Sequence, residues 1–302
     1  MATASSSPSI QDLSDSGDYY LTALDVYDRG SGRIRRICEW AGENIPALAD
    51  SIDVSLSKDS ALNVLSVGGG DGMSDSTILA RLLDRTHPRI RAVILEPDSH
   101  MMHQYQDLVK KESAKLQGVN FDWRQQTFQE YLATAEEDEK FHFISCISSI
   151  YYLGDLEVAL KRLYEILAAG GILLVTLVKG DGGFGRLWQY HYKSVRTQKT
   201  RYITSSDIKE ACRRQSIPIA DTQTIRISCD ITACFDPPQQ ISKDGDLLLD
   251  FLTHTVNFSR NAPAVYRDDL LQFLGSEACT YRGSDGEVIF NGNNEAVIIR
   301  KQ

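Results

Sequence analysis

No stretch of this chain approaches the ~20 consecutive apolar residues of a membrane-spanning helix. Positive charge is not in excess either. Across 302 residues, 32 Lys and Arg stand against 41 Asp and Glu, a formal net charge of −9, whereas a nucleic-acid binder needs a basic face. Cysteine is scarce and scattered: Cys38, Cys146, Cys212, Cys229, Cys234 and Cys279 form no pair at zinc-ligand spacing. Several lie in apolar runs, where a reduced, buried thiol is the ordinary reading. Met1–Gln11 has neither the basic nor the apolar region of a secretory leader, and its Ser, Ala and Pro content predicts a disordered tail over residues 1–12. No internal repeat is visible. These absences predict a soluble, cytoplasmic, monomeric protein with no membrane or nucleic-acid partner. A hydrophobic content of 42% is enough for one sizeable core.

What is there centres on Leu62-Asn63-Val64-Leu65-Ser66-Val67-Gly68-Gly69-Gly70-Asp71-Gly72. Val64–Val67 reads as a buried strand, and the glycines let the backbone turn sharply and pass close to a ligand. Met73–Leu83, apolar at Ile78, Leu79, Leu82 and Leu83, reads as a helix whose N-terminus faces that ligand. Ala92–Leu95 is a second buried strand ending on Glu96, where a carboxylate can accept bonds from two ribose hydroxyls. The dinucleotide fingerprint G-x-G-x-x-G fails: counted from Gly68 its third glycine falls on Met73, and counted from Gly70 its last falls on Asp75. Val-Gly-Gly-Gly-Asp-Gly instead resembles the first motif of class I methyltransferases, whose loop wraps the amino-acid part of S-adenosylmethionine.

Strands and helices then alternate, as a mostly parallel sheet requires. Helices are predicted over Asp98–Ser113, Thr127–Ala133 and Leu156–Ala168, and strands over Val119–Trp123, Phe141–Ser148 and Ile172–Val178. Ala169-Gly170-Gly171 reads as a helix C-cap. Ligands of open α/β sheets bind beyond the carboxyl ends of the strands, which gathers Gly68–Gly72, Glu96, Thr127, Phe128 and Ile147–Tyr152 around one crevice. Lys179–Lys199 interrupts the alternation with glycines and aromatics. Tyr202–Arg214 resumes as a helix with Thr204 and Asp207 in a capping box. Thr222–Ile231 and Glu287–Arg300 read as antiparallel strands, with helices over Leu247–Val256 and Asp268–Leu274 between them. The expected fold is a class I methyltransferase-like α/β sheet with helices on both faces. It occupies residues 13–302, and a smaller substrate lobe is drawn from about 13–40, 179–200 and 240–282.

Several stretches together resemble the histamine N-methyltransferase family. They are Leu13-Ser14-Asp15-Ser16-Gly17-Asp18-Tyr19, Leu65–Gly72, Glu96-Pro97, Ile150-Tyr151-Tyr152, Leu187-Trp188, Arg201-Tyr202-Ile203-Thr204-Ser205-Ser206-Asp207, the Asp250–Phe258 block and Val288-Ile289-Phe290-Asn291. The resemblance spans almost the whole chain. It implies an S-adenosylmethionine-dependent N-methyltransferase acting on a small amine or imidazole compound. It also implies a cofactor site of Gly68, Gly70, Glu96, Met101, Thr127, Phe128 and Ile147. Met101 stands where the family can have glutamine, and Phe128 where it can have serine beside adenine.

The acceptor side departs further from the family. Of its aromatic walls, Tyr19, Tyr151, Tyr152, Phe184, Trp188 and Phe251 persist, while Ala23 stands where the family has phenylalanine. Of the polar groups that read histamine, the acidic residue maps to Gly32, the glutamine to Ser148 and the asparagine to Gly292. Removing the carboxylate partner of a buried ammonium costs a few kcal/mol, so histamine is expected to be a poor substrate. Alternatives remain open at this point. Asp28 and Asn293, each one short step away, could replace the mapped groups and restore histamine; Arg29 and Arg33 would instead suit an acceptor bearing a carboxylate. A non-catalytic metabolite-binding member of the family is a further reading, against which the retained loop and Glu96 count.

Overall fold

Two helices open the fold, α1 (Asp18–Ser31) and α2 (Arg33–Asp50), and Gly32 separates them with a left-handed φ of 61°, its N–H closing on Asp28 O. From there strand and helix alternate: β1 (Leu62–Val67), α3 (Met73–Arg85), β2 (Ile90–Leu95), α4 (Ser99–Lys111), β3 (Val119–Arg124), α5 (Phe128–Thr134), β4 (Phe141–Ile147), α6 (Leu156–Ile166) and β5 (Leu167–Val178). Then follow α7 (Gly183–Ser194), α8 (Ser205–Arg214), β6 (Ile219–Ile225), β7 (Ser228–Asp230), α9 (Lys243–Thr253), α10 (Phe258–Asn261), α11 (Ala264–Leu274), β8 (Thr280–Arg282), β9 (Val288–Asn291) and β10 (Asn294–Arg300). This computed structural model describes residues 11–52, 61–85, 89–136, 138–194 and 202–302. None of the described helices is long and apolar enough to cross a membrane.

The chain divides into two compact units. The larger comprises Ile34–Leu177, Ile203–Ile225 and Asn294–Gln302. Its seven-stranded sheet runs β3-β2-β1-β4-β5-β10-β6, parallel from β3 through β5 and antiparallel between β10 and β6. Strand order reverses between β1 and β4, and that reversal is where such sheets open a ligand crevice. Leu65, Val93, Ile144, Leu173 and Val297 are all fully buried in its core. Continuous apolar strands of this kind are expected of a sheet covered on both faces.

The smaller unit comprises the N-terminal residues through Arg33, Val178–Tyr202 and Arg226–Asn293. It holds a three-stranded antiparallel sheet, β7-β9-β8. A second core forms there around Tyr27, Phe184, Leu252, Phe258 and Phe290.

Two local expectations are corrected. Ala169-Gly170-Gly171 does not cap a helix; it lies inside β5, which begins at Leu167, and the pairing with β4 shifts register there. Gly170 has φ +73° and bonds Lys301 O, while a Cβ on Gly171 would stand 2.9 Å from Ala168 O and 3.0 Å from His142 O. The glycines therefore admit a bulge rather than a cap. Thr222–Ile231 and Glu287–Arg300 are not single strands: each breaks in two, at Arg226-Ile227 and at Gly292-Asn293, where the chain passes between units. Lys179–Lys199 carries a helix, α7, through Ser194, and its remainder lies outside the described residues. The expected tail also lies outside them up to residue 10, but Gln11 and Asp12 are ordered, with Gln11 O accepting Val256 N–H and Asp12 bridging to Thr255.

Gly171→Ala is expected to destabilise the protein by ~1–3 kcal/mol, because backbone carbonyls cannot step aside for the added methyl. Chemical denaturation of the two proteins measures it, and an unchanged midpoint and slope would show that the bulge tolerates a side chain.

Candidate active-site elements

In the larger unit the end of β1 is built from glycines with positive φ: Gly68 at +72°, Gly70 at +57° and Gly72 at +82°. Two of them are packed against. A Cβ on Gly68 would come within 2.6 Å of Ser149 Cβ, and one on Gly72 would enter the Tyr105 ring. Gly70 faces open space, with nothing within 4 Å of a would-be Cβ. The loop is tied to β2 through Gly68 and Gly69 N–H, which donate to Leu95 O at 2.8 and 3.1 Å.

Glu96 closes this arrangement. Its Oε2 accepts the Gly70 N–H at 2.8 Å and its Oε1 the Asp98 N–H at 2.9 Å. The carboxylate is thereby fixed between loop and helix entry. Each oxygen retains further acceptor capacity, since an ionised carboxylate offers about four lone-pair sites. Asp98 caps α4 by accepting Met101 N–H at 2.9 Å, which sets Met101 in the first turn.

The other candidates of this unit follow the strand ends. Thr127 caps α5 in a reciprocal box with Glu130, the N–H donating at 2.7 Å and Oγ1 accepting at 3.2 Å. Phe128 is buried in the main core. Ile147 ends β4, and Ser148 after it takes φ +53°, a conformation that L side chains rarely adopt and that collects at functional sites. Ser149 Oγ donates to Val67 O at 2.5 Å, joining the ends of β4 and β1. Tyr151 and Tyr152 follow on an exposed 3-10 turn with their rings 4.5 Å apart.

Beneath the loop lies a group that sequence reasoning passed over. Asp75, in the first turn of α3, is buried and accepts from the hydroxyls of Ser66 and Ser145. Burial pushes its carboxyl up to about 7. Its only sequence signal is an acid on the apolar side of α3.

In the smaller unit the structure brings Phe184, Trp188 and Phe251 together around Tyr27. Tyr27 stacks on Phe251 at 4.8 Å and meets Phe184 edge-on at 5.3 Å, and Phe184 lies 5.1 Å from Trp188. Trp188 Nε1 donates to Leu252 O at 3.2 Å. Tyr19 donates its hydroxyl to Asp250 at 2.7 Å; burial and that carboxylate hold the phenol protonated. Asp250 also takes the Asn257 and Phe258 N–H groups, and burial raises it to about 6.

The polar positions are already engaged. Asp28 is clamped bidentately by Arg33, at 2.6 Å to Nε and 2.8 Å to Nη2. Gly32 is the left-handed helix cap. A Cβ on Gly292 would collide with the Tyr27 hydroxyl, and Asn293 Oδ1 accepts Ile227 N–H at 2.9 Å. Nothing in the sequence links Tyr27 to Gly292.

Asp75 generates a prediction for stability against pH. A carboxyl whose folded pKa lies above its unfolded value binds more protons folded than unfolded, so its contribution is lost as pH rises from about 4 to about 7. Asp75→Asn should therefore gain stability relative to the parent across that window and hold the gain above it. Urea unfolding of both proteins at pH 5 and pH 8 measures the difference, and a constant gap would show that Asp75 is ionised throughout.

A methyltransferase-domain family model matches residues 33–215, more than half of the chain. Histamine N-methyltransferase A of Xenopus laevis is 35% identical over 243 residues, 79% of this chain and 81% of that protein. Histamine N-methyltransferase of Danio rerio is 30% identical over 285 residues, 93% of this chain and 94% of that one. Among solved structures, a Bacillus halodurans protein described as a methyltransferase superposes with a TM-score of 0.52 at 13% identity, over 86% of this chain and 99% of its own. The YcgJ protein of Bacillus subtilis gives 0.51, also at 13% identity, over 85% and 98%. These two show a shared fold. With the glycine loop and its bracing acid already in view, the sequence identities across most of its length make this chain a member of the histamine N-methyltransferase family, class I methyltransferases whose methyl donor is S-adenosylmethionine.

Proposed function

We propose that this protein transfers a methyl group from S-adenosylmethionine to a nitrogen of a small amine or imidazole compound, with an acceptor site re-specified away from histamine. One observation carries the donor side: Glu96 holds the Gly70 and Asp98 N–H groups and keeps lone pairs for two ribose hydroxyls, beside a glycine turn that opens at Gly70. In this reading Gly68 and Gly70 admit the amino-acid part of the donor. Met101 and Phe128 offer apolar contact to its adenine, Thr127 sets the entry of α5, and Ile147 ends the adjoining strand.

When bound, S-adenosylmethionine supplies an activated methyl on a sulfonium; the acceptor nitrogen's lone pair forms the new C–N bond as the C–S pair returns to sulfur. The chain's own task is then orientation and exclusion of water. Aromatic faces such as Tyr19, Phe184, Trp188 and Phe251 suit a site where positive charge is shared, at ~0.5–2 kcal/mol per ring. The methyl acceptor needs only a neutral nitrogen, so no catalytic acid or base is assigned.

The departure from histamine is supported by what is engaged. The Asp28 carboxylate is neutralised by Arg33, and Asn293 spends its carbonyl on Ile227, so neither stands ready to replace the groups missing at Gly32 and Gly292. Ser148 is shorter than the glutamine it stands for. Each unsatisfied polar group on a buried ligand costs ~1–3 kcal/mol.

Two outcomes test this. Glu96→Ala should weaken S-adenosylhomocysteine binding by ~1–3 kcal/mol in calorimetry, and unchanged affinity would remove Glu96 from the donor site. In a mass-resolved methylation panel of amines and imidazoles, histamine should show kcat/KM at least ~100-fold below the best acceptor. Efficient turnover of histamine that is abolished by Asp28→Ala would instead restore histamine as the substrate.

A further inference from the structure

Among the described residues, three buried side-chain polar atoms of the smaller unit have no hydrogen-bond partner: the Tyr27 hydroxyl, which lies against Gly292, and Asp12 Oδ2 and His254 Nδ1. Asp12 and His254 belong to one neighbourhood. Leu13 N–H donates to His254 O at 2.9 Å, Asp12 bridges to Thr255, and the Asp12 charge acts on the His254 imidazole. The carboxylate is rigidly held by its other oxygen: Oδ1 accepts the Ser14 N–H at 2.9 Å, the Ser14 hydroxyl at 2.7 Å and the Tyr202 hydroxyl at 2.9 Å. His254 is the left-handed cap of α9, with φ 49°. Around its ring stand Tyr202 at 4.0 Å, Trp188 at 5.3 Å, Phe251 at 5.6 Å and Tyr20 at 6.3 Å between centroids.

We propose that Asp12 and His254, walled by Trp188 and Tyr202, form a subsite for a protonated amine, the ammonium of the methyl acceptor. The proposal rests on the methyltransferase reading above for the word acceptor; the subsite itself rests on the geometry.

Charge decides the class of ligand. Among the described residues no lysine or arginine pairs with Asp12, and burial keeps His254 neutral by pushing its imidazole down to about 4. A carboxylate oxygen shielded from water with no counter-charge calls for a cation. An ammonium meets both orphan atoms, donating one N–H to Asp12 Oδ2 and one to His254 Nδ1 in the tautomer protonated at Nε2. Aromatic faces beside it add cation–π attraction. A water satisfies the two acceptors but leaves the charge uncompensated, and buried waters ordinarily take about three polar partners. An anion is excluded by Asp12. The subsite also accounts for an acceptor site in which Gly32 has no carboxylate and Asp28 is spent on Arg33: ammonium recognition moves to a different carboxylate. The ammonium has no lone pair, so the nitrogen that takes the methyl group is another one on the same molecule.

The test compares amines with their deaminated counterparts: histamine with 4-ethylimidazole, tryptamine with 3-ethylindole and tyramine with 4-ethylphenol. Each is titrated calorimetrically into the full chain loaded with S-adenosylhomocysteine. At least one amine should bind ~10-fold or more tighter than its counterpart, and Asp12→Asn should erase that preference while leaving the counterpart's affinity unchanged. Asparagine keeps an acceptor for Ser14 and Tyr202, and an unaltered melting temperature verifies it; Asp12→Glu should restore part of the preference. Equal affinities for amine and counterpart in the parent protein, meaning a water only, would overturn the subsite, as would a preference that survives Asp12→Asn. A preference that Asp12→Asn erases, with no methylation of any amine, supports the subsite and sinks the acceptor reading instead.

Discussion

A single carboxylate ties the larger unit's glycine loop to the entry of the helix after β2. Glu96 takes one backbone N–H from the glycine loop and one from the entry of the following helix, so two segments far apart in sequence share one anchor. Charge-assisted bonds of this kind are about twice as strong as neutral ones. The glycines then need no side chains of their own to hold position: Gly68 lies over Ser149, Gly72 against Tyr105, and the loop's amides are drawn toward Leu95. Behind them Asp75, Ser66 and Ser145 fill the space under the turn with paired polar groups. The loop is thus held by the bonds of its own Gly68, Gly69, Gly70 and Gly72 N–H groups.

The smaller unit follows a different principle. Its centre is a set of rings, Tyr27, Phe184, Trp188 and Phe251, whose apolar bodies form the core, with the Tyr27 hydroxyl buried there without a hydrogen-bond partner. Tyr19 settles on Asp250 and Trp188 on Leu252 O. Asp28 and Arg33 neutralise each other, and the Tyr27 hydroxyl occupies the space that a side chain at 292 would fill. Substitutions at mapped acceptor positions are thus coupled to packing: a side chain returned to position 292 would have to displace Tyr27.

Much of this was legible in the sequence, for physical reasons. Continuous apolar runs marked β1, β2 and β4, and the alternating order of strand and helix indicated the parallel sheet. The helices expected from Asp98 and Thr127 start within a residue of those positions, and Thr204 caps α8 as expected, although α8 starts at Ser205 rather than Tyr202. What was not legible depends on long-range partners. Gly170 and Gly171 look the same as a cap until Lys301 and His142 are seen beside them. The break at Arg226-Ile227 leaves no mark in hydropathy, since the flanking residues keep their alternation, whereas the polar run Asn291–Glu295 with its Asn-Gly pair does mark the break at Gly292-Asn293. The Asp28–Arg33 clamp is five residues apart and crosses a helix cap, so helical spacing alone gave Asp28 a free carboxylate. Asp12 was read with the tail because nothing local shows that Thr255 and Tyr202 reach it.

The central claim is that Glu96 both braces the loop and receives the nucleoside of the methyl donor. A crystal structure of the protein with S-adenosylhomocysteine tests it most directly. Both ribose hydroxyls should lie within about 3 Å of the Glu96 carboxylate, with the Gly70 and Asp98 N–H bonds retained. A nucleoside bound away from Glu96, its hydroxyls on other groups, would contradict the account and leave Glu96 as a brace alone.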